Sequence, residues 1–171
     1  MDPQRLPIRV SLPASVASWL ASVTRVTTAP NGDETLMPRY GAFSATTEGL
    51  DPKDLALGYR VLNDHLAAGS PMEITAEVTA LLSHYFMPEL PPAVYAQVME
   101  DWTELFATVP LWALRKARME WLAAETRRPT PADIRAITSR LTWNETMARR
   151  IIEDNLAKHP ALAKPGAVVP A

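Results

Sequence analysis

No cysteine occurs in the chain, which excludes disulfides, thiolate nucleophiles and cysteine-ligated zinc and is compatible with a reducing compartment, so a cytoplasmic location is expected. Glycine is scarce, at six in 171 residues. There is no GxSxG elbow, no GxxxxGK[ST] sequence and no glycine-rich loop able to cradle phosphates. Long apolar runs are missing as well. The first 23 residues are broken by Pro3, Pro7, Arg9 and Pro13, so neither a signal peptide nor a membrane span is expected. The three histidines, His65, His84 and His159, stand at unrelated positions without an HExxH spacing. No metal site, cofactor or catalytic constellation is therefore expected, and the chain reads as a non-enzyme.

Charge of one sign is missing over a third of the chain. Residues 61–114 hold seven acidic side chains (Asp64, Glu73, Glu77, Glu89, Glu100, Asp101 and Glu104) and no lysine or arginine. Residues 115–150 reverse this, with nine basic side chains against four acidic ones. A net charge of −2 hides this polarity. The basic stretch suits nucleic acid or an acidic partner, or equally a solvated face set beside acidic helices. Glu100, Asp101 and Glu104, placed around Trp102 and before Phe106, read as the polar side of an amphipathic helix.

With 47% hydrophobic and 21% charged residues, the chain has the composition of an ordinary globular domain with one core. Three segments carry the same start signal: Asp51-Pro52-Lys53-Asp54, Ser70-Pro71-Met72-Glu73 and Thr130-Pro131-Ala132-Asp133. Each puts a capping side chain before a first-turn proline, with a carboxylate placed to reach back to the cap. Thr142-Trp143-Asn144-Glu145 has the capping-box form without proline. Pro91-Pro92 and Val109-Pro110 add two further starts. Apolar residues recur at three and four positions after each start, as in Ile74, Val78, Leu81 and Leu82. Helices are expected over 52–67, 71–86, 92–108, 110–126, 131–141 and 143–157. The expected fold is all-α, a compact bundle of five or six helices over 51–158. An irregular proline-rich arm over 1–50, with a short helix near 16–26 and a turn at Asn31-Gly32, precedes it, and a flexible tail over 159–171 follows.

The stretch from Trp102 through Leu105 to Pro110, the helix WALRKARMEWL and the Pro131-x-x-Ile134 element resemble the phage helicase loader/inhibitor family. The similarity runs over residues 94–137. It implies a small helical adaptor that binds a replicative helicase through protein contacts and carries no catalytic residues. Trp112, with Lys116 and Met119 on the same side of its helix, is the expected exposed anchor for a partner. Two other functions fit the residues. A helix-turn-helix over 130–156 would bind DNA through Arg135, Arg140, Arg149 and Arg150, and the tryptophan-rich region would also suit a structural or oligomerisation module. The sequence leaves the oligomeric state open.

Overall fold

The computed structural model describes residues 6–86 and 89–159. Its class is mainly helical, with six α-helices and one two-stranded hairpin among the described residues. The helices are α1 (Ala14–Val23), α2 (Pro52–His65), α3 (Pro71–Leu82), α4 (Pro92–Leu105), α5 (Leu111–Ala124) and α6 (Pro131–Leu156); strands β1 (Thr24–Thr28) and β2 (Glu34–Pro38) follow α1. Where one core is expected, the described residues form two compact units, one within 66–142 and the other made of 6–65 with 143–159.

The five proline-led starts are all used, because each is a local arrangement. Ser70 accepts from the Glu73 N–H while Glu73 Oε2 accepts from the Ser70 N–H at 3.0 Å. Thr130 and Asp133 form the same reciprocal pair. Asp51 caps α2 through the Lys53 N–H at 2.8 Å, but Asp54 accepts from the Ser15 hydroxyl at 2.6 Å instead of returning to the cap.

In the unit of residues 66–142, Ile74, Val78, Leu81, Leu82, Met99, Trp102, Phe106, Leu114, Ala117, Trp121, Ile134 and Leu141 are buried together. Trp102 and Phe106 stack with centroids 5.8 Å apart. Gly69 lies at a close approach: a Cβ there would stand 3.2 Å from Leu111 Cβ, so the leucine would have to give by a few tenths of an ångström.

The other unit corrects the expectation of an irregular arm. β1 and β2 pair antiparallel from Thr24 opposite Pro38 to Thr28 opposite Glu34. The Asn31-Gly32 turn closes the hairpin, with Gly32 at φ 86°, a conformation open to glycine at no steric cost. Val16, Leu20, Leu36, Leu55, Leu62, Ile151 and Ile152 build this core. Trp19 donates to the Thr46 carbonyl at 3.0 Å, so it is used inside this unit. Of the expected tail only His159 lies within the described residues; it is buried, with Nε2 3.2 Å from the Leu50 carbonyl.

A second correction concerns residues 130–156, where two helices joined by a turn are expected and one continuous helix stands. Its inward stripe is Ile134, Thr138, Leu141, Glu145, Ala148, Ile151, Ile152 and Asn155, an unbroken repeat of three and four residues. Thr142 does not cap. Its hydroxyl donates back to the Thr138 carbonyl at 2.9 Å, the mid-helix habit of threonine. Glu145 does not return to Thr142 but accepts from Arg9 Nη1 at 3.1 Å and from the Arg9 N–H at 2.9 Å. The two short helices expected over 130–156 are therefore not separate elements.

Candidate functional site

The four arginines expected to face DNA do not form a free cationic face. Arg140 pairs with Glu120 of α5. Arg135 donates to the Leu105 carbonyl at 3.3 Å. Arg149 donates to Asn63 Oδ1 at 3.3 Å, and the Arg150 guanidinium lies 5.5 Å from the Phe43 ring centroid. Arg115 and Arg118 both close on Glu77, at 2.8 and 3.1 Å. Arg115, Arg118 and Arg140 thus meet carboxylates within the chain, whereas Arg135, Arg149 and Arg150 contact neutral groups.

Helix α5 presents the predicted anchor differently from expectation. Trp112 is half-buried and packs against the core of its own unit. Lys116 is exposed, and Met119 is 58% exposed. The shared side is real in helical terms, since positions 112, 116 and 119 fall within one arc, but its apolar tip is Met119.

The α5–α6 connection holds a network that the sequence reading used only as a cap. Trp121 Nε1 donates to the Arg127 carbonyl at 3.1 Å, and the Arg127 guanidinium sits 4.7 Å from the Trp121 centroid. Arg127 also grips Asp133 with two bonds, at 3.0 and 2.9 Å. The Arg127 bonds, followed by those from Thr130, hold the Asp133 carboxyl well below the ordinary carboxylate range, and Asp133 raises Arg127 in turn. The Ser70 cap likewise lowers Glu73.

Among the described residues, one surface feature with binding geometry is an open groove of about 470 Å³ lined by α3, α4 and their flanking turns. Ile74 and Met99 with Gly69, Pro71 and Ala107 make its apolar part; Thr75, Thr103, Glu100 and Glu104 make its polar part. Glu100 and Glu104 are exposed, one helical turn apart. Neither carboxylate has a hydrogen bond or ion pair among the described residues. Sequence reasoning placed these carboxylates on a polar helix face, and so they are. What it missed is the cleft beside them, which needs α3 to be set against α4.

Among the described residues there is no group of three or more histidine or carboxylate side chains able to hold a metal. No helix of the described residues is long and apolar enough to cross a membrane. Comparison of the chain with protein-family models, with curated proteins and with solved structures found no match.

Proposed function

We propose that this chain is a non-enzymatic adaptor that works through protein contacts, in the manner its resemblance to phage helicase loaders implies. The observation that supports this reading is the unequal fate of its charges. Arg135, Arg140, Arg149 and Arg150, the side chains on which nucleic-acid binding would rest, are engaged within the chain. Glu100 and Glu104 are left unpaired beside an apolar groove. A phosphate backbone requires unpaired cations, whereas an apolar cleft with a charged rim suits a protein segment.

The test is binding of the purified chain to a bacterial replicative helicase by biolayer interferometry, with duplex DNA across a salt series in parallel. Saturable helicase binding without salt-sensitive DNA binding is expected. DNA binding that weakens steeply as salt rises, with no helicase binding, overturns the adaptor reading in favour of DNA. Light scattering on the same sample reports whether the chain associates with itself.

A further inference from the structure

The side chains lining the α3–α4 groove offer acceptors and apolar surface, and no cation. The Thr75 hydroxyl lies 2.8 Å from the Pro71 carbonyl and the Thr103 hydroxyl 2.8 Å from the Met99 carbonyl, while the two hydroxyl oxygens stand 2.8 Å from each other. Each hydroxyl has a single proton, so two protons already serve three contacts and neither hydroxyl has a proton left to donate to a ligand. Their oxygens keep acceptor capacity. Glu100 and Glu104 add two carboxylates without partners among the described residues. Ile74 and Met99 supply an apolar wall. A ligand complementary to this set has a cationic donor carried on an aliphatic stem.

We propose that the groove receives arginine or lysine side chains from an amphipathic basic segment of a partner protein. The stem lies on Ile74 and Met99 while the cation meets Glu100 and Glu104; long cationic side chains bury their methylenes and keep the charge at the rim in this way. Arginine suits the site better, because its planar fork can address two carboxylates one helical turn apart. Charge complementarity bears on a second copy as the occupant too: Arg115, Arg118 and Arg140 of this chain's own basic stretch already meet carboxylates, which makes a separate basic segment the better match. The inference rests on the adaptor reading and adds the chemistry of the partner segment and where it sits.

The test uses the full chain and a fluorescein-labelled amphipathic helical peptide with arginine on successive turns and leucine between them. A matched peptide with glutamate in place of arginine is the control. Anisotropy is expected to show binding of the arginine peptide alone, weakening as salt rises. The double variant Glu100→Gln with Glu104→Gln should lower affinity about tenfold, from the loss of two exposed charge contacts. Ala107→Trp, at an exposed wall of the groove, should block it by bulk. Both changes are at exposed residues, and an unchanged urea midpoint confirms that the fold is retained. Equal binding by wild type and both variants, binding of the glutamate peptide, or no binding at low salt each overturns the proposal. A dimer seen by light scattering and abolished by the double variant overturns it too, in favour of a second copy. Helicase binding that survives in both variants removes the groove but leaves the adaptor reading standing. Arginine-peptide binding without helicase binding does the reverse.

Discussion

Asn144 of α6 accepts the Leu36 N–H of β2 at 2.8 Å through its Oδ1, and the neighbouring Trp143 donates its indole N–H to the Leu36 carbonyl at 3.1 Å. Leu36 stands opposite Val26 in the hairpin, yet both of its backbone groups are taken by helix side chains. In an antiparallel pair such groups point away from the partner strand, so α6 satisfies an outer edge of β2 that would otherwise stay open. The Asn144 amide completes the junction by donating to the carbonyls of Pro7 and Glu34, at 2.8 and 2.9 Å.

Asn144→Ala removes three hydrogen bonds to backbone at once. A loss of about 2–4 kcal/mol is expected, at roughly 1 kcal/mol net for each bond with a further penalty for groups left unpaired. Urea denaturation measures it. A loss below that of an ordinary exposed substitution would show that the junction is not made.

Arg9→Met strips the charge partner from Glu145, whose side chain is wholly buried. The backbone N–H of residue 9 still donates to it, so a cost of about 1.5–3 kcal/mol is expected, the range for hydrogen bonds to a charged group. Restoring stability by combining Arg9→Met with Glu145→Leu in a double-mutant cycle would identify the buried charge as the cause.

The two threonine starts should separate cleanly. Thr130→Ala removes a cap and should cost about 1 kcal/mol, while Thr142→Ala lies inside a continuous helix, where alanine is the better helix former, and should be neutral or stabilising. Thermal melts of the two variants check this. A cost at residue 142 equal to that at 130 would mean that a helix begins there.

Acid should weaken the α5–α6 connection. The Asp133 carboxyl is depressed in the folded chain relative to an ordinary value of 3.8. Above about pH 5 it is ionised folded and unfolded, and its contribution is complete. As pH falls below that value, the unfolded chain takes up the proton that the folded chain resists, and the contribution is lost as pH drops toward the folded value. The urea midpoint should therefore decline from pH 5 to pH 2.5, and Asp133→Asn should decline less over the same interval. Parallel curves would show that Asp133 contributes nothing to the dependence.

Trp112 and Met119 should respond differently to alanine. Trp112 packs on the core while only half-buried, so its truncation should cost about 2 kcal/mol, less than the roughly 3–5 kcal/mol of a fully buried aromatic. Met119, at 58% exposure, should change stability little. Equilibrium unfolding of both decides between anchor and core.

The proline-led helix starts were legible in the sequence because caps and first-turn prolines act within a few residues of chain. Ser70 with Glu73 and Thr130 with Asp133 need nothing beyond their own backbone. The hairpin was half legible: Asn31-Gly32 announced a turn, and the threonine and valine flanking it carried the strand signal that went unread. The Thr142–Glu145 box misled because its letters satisfy a local rule while its side chains have distant uses. Glu145 meets Arg9 across 136 positions of sequence, and Asn144 meets Leu36 across 108.

The same division holds for the site. Sequence alone determined the chain's mainly helical character, its acidic and basic stretches and the residues available for contact, since these follow from local backbone chemistry and from side-chain identity. Only the tertiary structure decided that α6 runs unbroken, that polar Thr138, Glu145 and Asn155 occupy its buried stripe, and which charges remain unpaired. Whether Arg140 or Glu104 is available to a partner depends on which side chain stands opposite it. That neighbour is set by packing between helices, where a polar residue can replace an apolar one wherever a remote group satisfies its hydrogen bonds.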